Sequence, residues 1–140
     1  MKILIAADGS SYTKCMLAYL AAHDEWLGAG HAYTVMHTVT PVVARAARVI
    51  PREVLRSYYE QSAETVFKPI RTFFKKQGIE ASFVSEAGDP GVMVARRADA
   101  QRVDLVMLGS HGHGSLGNLF LGSVASKVIA GCKAPVLVIR

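Results

Sequence analysis

Fifteen residues from Gly109 to Ser123, GSHGHGSLGNLFLGS, carry five glycines, three serines and two histidines. The chemistry open to such a run is anion binding by the main chain. Glycine lets amide N–H groups approach a phosphate with no Cβ in the way. Gly122 and Ser123 stand where a helix would begin, and its free N–H groups and positive dipole end suit an anion. The Ser123 hydroxyl can cap that helix or donate to a phosphate oxygen. Asp8, in ILIAADGS, is a second candidate. Its carboxylate can cap the first helix or hold Mg²⁺ beside phosphates. The bland alternative for the glycine run is a structural turn with glycine caps.

Spacing narrows the choice. No G-K-[S/T] follows a four-residue gap, so the run is not a Walker-type loop. Gly112, Gly114 and Gly117 match G-x-G-x-x-G, but a dinucleotide fingerprint opens the first βαβ unit and is followed by an acid some twenty residues on. Here the match falls in the last unit, and the acid's place falls near Leu137. His111 and His113 have no Cys or acid near them in sequence, so a phosphate-facing or structural role is favoured over a metal pair. What remains is G-x2-G-x9-G-S, formed by Gly109, Gly112, Gly122 and Ser123.

The elements that must position these residues alternate between short apolar runs and longer helical ones. KILIAA (Lys2–Ala7), AYTVMHTV (Ala32–Val39), EASFVSEA (Glu80–Ala87), DLVMLG (Asp104–Gly109) and PVLVI (Pro135–Ile139) read as strands. Helices are expected from Ser10–Ser11 to Gly28, from Arg52 to Gln77, from Pro90 to near Arg102, and after Gly122. The second helix should bury Leu55, Tyr59, Val66, Ile70 and Phe73 and, if it is continuous, kink near Thr65–Pro69. Thr40–Pro51, with a proline near each end, is expected to be a mobile loop. Five strands alternating with four helices predict a single-domain doubly wound α/β fold over residues 1–140. It has a five-stranded parallel sheet in the order 3-2-1-4-5 with helices on both faces. Ligands of such sheets sit beyond the carboxyl ends of the strands, where the winding reverses. Asp8 follows strand 1 and the glycine run follows strand 4, so both are expected at one crevice.

Composition bounds the partners. Of 140 residues 51% are apolar and 19% charged, as in an ordinary globular domain. No apolar run approaches the ~18 residues of a membrane span, and the N-terminal residues do not read as a secretory signal. The expected location is cytoplasmic, with no membrane partner. The net charge is +5. No helix-turn-helix pattern or aromatic-basic interleaving accompanies it, so nucleic acid is not expected. Arg45, Arg48, Arg52 and Arg56 would share one face of a continuous helix, either as a solvated face or as a cationic segment leaning toward a ligand's phosphates. Cys15 and Cys132 are expected to be reduced core thiols.

The spacing G-x2-G-x9-G-S, with GSHG after an apolar strand and LGSVASKV opening a helix, resembles the nucleotide-binding branch of the universal stress protein family. ILIAADGS looks like that family's first strand with its Asp, GDP (Gly88–Pro90) its Gly-x-Pro turn, and APVLVIR its closing strand. The resemblance covers the whole chain. It implies an adenine nucleotide, ATP or else AMP or ADP, with or without Mg²⁺, and a site built from Ala6, Ala7, Asp8, Thr38, Leu108, Gly109, His111, Gly112, His113, Gly114, Gly122, Ser123 and Val124. Asp8 would lie near the ribose and adenine, and the backbone around Thr38 would border the base. Small Ala6 and Ala7 leave room for the ring. Leu116, Leu119 and Leu121 are expected to anchor the loop. Where family members often carry Arg, this chain has His113, and Gly117 and Asn118 are not basic. Phosphate charge would then fall mainly to backbone amides, with binding strengthened below about pH 6.5 as imidazole gains charge.

Three functions compete: a nucleotide-binding stress sensor acting on an unknown regulatory protein, a slow ATP hydrolase, and a dimeric scaffold with an empty pocket. No catalytic group or metal site is marked. Pro135–Arg140 forms an apolar edge strand suited to pairing with its copy, and the resemblance likewise implies a homodimer.

Overall fold

The computed structural model describes residues 1–113 and 120–140. Its strands are β1 (Lys2–Ala6), β2 (Ala32–Val39), β3 (Ala81–Ala87), β4 (Leu105–Gly109) and β5 (Val136–Ile139). All pairings are parallel, in the order β3-β2-β1-β4-β5. The doubly wound sheet expected from the strand–helix alternation is the one observed. Its helices are α1 (Ser11–Ala22), α2 (Asp24–Leu27), α3 (Ala44–Ala47), α4 (Arg52–Lys76), α5 (Pro90–Gln101) and α6 (Ser123–Gly131).

Alternation along the strands divides the core between the two faces of the sheet. Ile3, Ile5, Val35 and Met107 join Met16 and Leu20 of α1 and Phe67, Ile70 and Phe74 of α4. Leu4, Met36, Val106 and Leu108 join Val94 and Ala98 of α5 and Ala125 and Val128 of α6. Ile3, Leu4 and Ile5 are each at most 1% exposed, which is why β1 reads as an unbroken apolar run: helices cover it on both sides.

Several expectations are corrected. The first helix does not run on to Gly28. It ends at His23, whose Nδ1–H donates to the Tyr19 carbonyl at 2.8 Å while the ring stacks on Tyr19; α2 then starts afresh. Thr40–Pro51 is not all loop, because alanine-rich ARAA forms α3. The arginine row is split as a result: Arg45 lies on α3, Arg48 caps it, and Arg52 and Arg56 lie on α4 beyond Pro51. The buried stripe of α4 is Ala63, Phe67, Ile70 and Phe74, with Tyr59, Val66 and Phe73 at its margin. Pro69 sits on the exposed side of an unbroken helix, where water can satisfy the carbonyl it leaves without a donor. Cys15 is exposed on α1 and Cys132 half-buried, so Cys15 is not a core thiol; Met16, Leu17 and Leu20 take the inner face.

The start of α5 follows the sequence closely. Asp89 is its N-cap, its carboxylate accepting the Val92 N–H at 3.1 Å, with Pro90 first in the helix. Arg102 ends it in the left-handed region, φ 49°. Among the described residues no helix is long and apolar enough to cross a membrane.

Candidate functional site

A cavity of about 280 Å³ opens beyond the carboxyl ends of β1, β2 and β4. Most of its lining comes from three segments distant in sequence. Ala6, Ala7 and Asp8 leave β1, Leu108 and Gly109 end β4 and lead to His111, Gly112 and His113, and Gly122, Ser123 and Val124 open α6. Thr38 contributes from β2. Gly114 lies outside the described residues, as do Leu116 and Leu119; Leu121 packs on the α5–α6 side of the core.

The first wall is a tight turn around Asp8. Oδ1 accepts the Ser10 main-chain N–H and the Thr13 hydroxyl, both at 2.9 Å, while Thr13 Oγ1 accepts the N–H groups of Asp8 and Gly9 at 3.2 Å. Gly9 takes φ +79° to make this possible. Ser10 holds the N-cap position of α1, but its buried hydroxyl caps nothing. The helix entry is organised by Asp8 and Thr13, a role Asp8 combines with facing the cavity.

Burial would raise the Asp8 carboxyl, but donors converging from Ser10 and Thr13, with the attraction of His113, outweigh it and hold it below the usual carboxylate value. A depressed folded-state pKa stabilises the native state at neutral pH, and that contribution is lost as pH falls through the carboxylate range. Unfolding free energy from urea denaturation should therefore decline below about pH 4. Asp8→Asn should lower it by about 1–2 kcal/mol at pH 7 and flatten the acid decline. An unchanged acid limb in the variant would show that Asp8 carries none of it.

The second wall is close-packed backbone. A methyl group at Gly109 would stand 2.5 Å from Tyr12 Cβ, one at Gly112 2.6 Å from Asp8 Oδ2, and one at Gly122 3.1 Å from the Ser110 carbonyl. Ordered hydrogen bonds pin the segment from outside: Ser110 N–H donates to the Ile139 carbonyl at 2.7 Å, and Gly122 N–H to the Ser110 carbonyl at 2.8 Å. His113 Nε2–H donates to the Asp8 carbonyl at 3.0 Å, joining the first wall to the second. Gly122, not Ser123, is the N-cap of α6. The exposed Ser123 hydroxyl is not a cap, which removes one of its two sequence-level roles.

Sequence reasoning missed Thr13, Met36, His37, Pro90, Val94 and Ala125, which also line the cavity. Pro90 and Val94 come from a helix judged only by its cap. His37 was hidden within a strand read for its apolar content. Among the described residues no group of three or more His, Cys, Asp or Glu side chains could hold a metal ion.

A doubly wound parallel sheet with its cavity at the β1/β4 reversal defines the class of protein. The particular family follows from comparison: the chain matches the universal stress protein family model over residues 1–140 and belongs to that family. It is 31% identical over 138 residues to a universal stress protein of Thermus aquaticus encoded beside a QAH/OAS sulfhydrylase, covering 99% of this chain and 97% of that one. The fold is similar to that of universal stress protein UspA from Lactobacillus plantarum, with a TM-score of 0.78 and 19% identity over 100% of this chain and 97% of that one. It is also similar to that of an Arabidopsis thaliana family protein with AMP bound, with a TM-score of 0.71 and 15% identity over 99% and 90% of the two chains.

Proposed function

We propose that this chain, as one domain over residues 1–140, binds an adenine nucleotide in the cavity beyond β1 and β4. The observation that carries the reading is convergence: Asp8, the exit of β4 and the first turn of α6 enclose one cavity whose glycine positions leave no room for a side chain. Phosphates would lie at the Gly112, His113, Gly122 and Ser123 end, met by main-chain amides and the α6 N-terminus. The nucleoside would extend toward Ala6, Ala7 and Thr38. Fold relatives solved with AMP, cAMP and dAMP support the ligand class. For ATP, Asp8 Oδ2 is the carboxylate oxygen left to hold Mg²⁺ carried by the triphosphate, since Oδ1 is spent on Ser10 and Thr13.

The nucleotide-bound form would act as a stress-response sensor, presenting a different surface to a regulatory protein. Hydrolysis is the second reading, and it would be slow. Asp8 is the one acid lining the cavity among the described residues, whereas fast phosphoryl transfer also needs groups that position water and neutralise developing charge. Mass spectrometry of the purified protein should detect co-purified adenine nucleotide, and calorimetry should show saturable ATP binding. Absence of both would reject the reading, and turnover above about 1 s⁻¹ would reject the sensor in favour of the enzyme.

Pairing with a second copy belongs to the same proposal. β5 is an edge strand whose Val136, Leu137 and Val138 are only half-buried, and its unpaired outer edge can extend the sheet through Pro135–Arg140 across a two-fold axis. Sedimentation should give a dimer at micromolar concentration; a monomer would remove this part.

A further inference from the structure

His37 lines the cavity with chemistry that none of the roles above uses. Its Nδ1 lies 2.8 Å from the Ala7 carbonyl. A carbonyl only accepts, so Nδ1 carries the proton, and in the neutral ring Nε2 carries a lone pair. The ring plane is fixed as well, packed edge-on to Phe67 at 6.2 Å and 84°. Nε2 has no hydrogen-bond partner among the described residues and is not closed off from solvent. Of the other side-chain acceptors lining the cavity, Thr13 Oγ1 and Asp8 Oδ1 are already engaged.

Position says which part of a ligand this atom meets. β2 lies two strands from β4, about 10 Å at normal strand spacing. With phosphates at the glycine end, the nucleoside half falls beside His37. We infer that His37 is a specificity-determining acceptor, reading through Nε2 a hydrogen-bond donor on the nucleoside, either a sugar hydroxyl or the exocyclic amine of the base. A ligand with an acceptor at that place meets two lone pairs and is disfavoured. This inference rests on the nucleotide reading and adds the residue that selects within the class.

The test is a cycle between one side chain and three ligand groups, measured by calorimetry at pH 8, above the range in which imidazoles gain a proton. Wild type and His37→Asn are titrated with ATP, 2′-deoxy-ATP, 3′-deoxy-ATP and the triphosphate of purine riboside, which lacks the amine. Asn keeps an N–H near the Nδ1 position and has nothing at Nε2. One analogue should bind wild type roughly 5- to 20-fold more weakly than ATP, the worth of one hydrogen bond. The variant should lose the same factor for ATP and nothing further for that analogue. The analogue that responds identifies the donor. His37→Gln, whose amide oxygen reaches toward the Nε2 position, should restore part of the discrimination. Equal weakening of all four ligands in His37→Asn, or no weakening at all, overturns the assignment while leaving nucleotide binding intact. A wild type that binds none of the four removes the nucleotide reading and the assignment with it.

Discussion

Gly109→Ala should destabilise the fold by about 2–3 kcal/mol, a fall of roughly 6–12 °C in Tm. The new methyl would lie 2.5 Å from Tyr12 Cβ, 3.4 Å from the Tyr12 carbonyl carbon and 3.2 Å from the His111 carbonyl oxygen. None of these is the free end of a flexible side chain. Tyr12 can retreat only by moving the first turn of α1, which Thr13 ties to Asp8. The other side cannot yield either, because Ser110, next in the chain, is bonded to the Ile139 carbonyl. Gly131→Ala is the control. Its methyl would meet Ala95 Cβ at 3.4 Å, an ordinary contact, and alanine is the better helix former, so stability should hold or rise slightly. Thermal unfolding of the two variants side by side separates close packing from a general intolerance of added methyls. An unchanged Tm for Gly109→Ala would mean that the β4 exit does not press against α1.

The same close approach explains why the fold was largely legible in the sequence while parts of the site were not. Strands buried on both sides must be apolar throughout, and β1 and β4 show this without any partner in view. Asp89-Pro90 marks a helix start through properties of the two residues alone. The break at His23 depends on a ring that finds the carbonyl four residues back, and no glycine or proline announces it. The stripe on α4 was misread because Phe67 and Phe74 are drawn inward by Phe83 of β3, a neighbour that helical periodicity cannot name. His37 is the clearest miss. It sits between Met36 and Thr38 in a strand read as one unit, and only the end of the strand, the Ala7 carbonyl and the ring of Phe67 together make it a cavity residue. The glycines were readable for the opposite reason: an absent side chain at fixed spacing is itself the signal.

Gly112→Ala should lower ATP affinity about 100-fold, the worth of one or two amide–phosphate bonds, while costing only about 1 kcal/mol of stability. Its methyl would stand 2.6 Å from Asp8 Oδ2. The carboxylate cannot simply swing away, because Oδ1 is held by the Ser10 N–H and the Thr13 hydroxyl. Either the Asp8 turn opens or the segment from Ser110 to His113 is pushed out, and in both cases the proposed cradle loses its shape. A second substitution tells the two causes apart. In an Asp8→Ala background the steric conflict is gone, so adding Gly112→Ala should cost no further stability by urea denaturation. If displaced Asp8 were the whole reason for weaker binding, it should cost no further affinity either. If the bare amides around Gly112 hold phosphate directly, calorimetry should record a further fall of about 10-fold in the double variant, because the methyl still occupies the surface the phosphate would approach. Full ATP affinity in Gly112→Ala would place the nucleotide elsewhere.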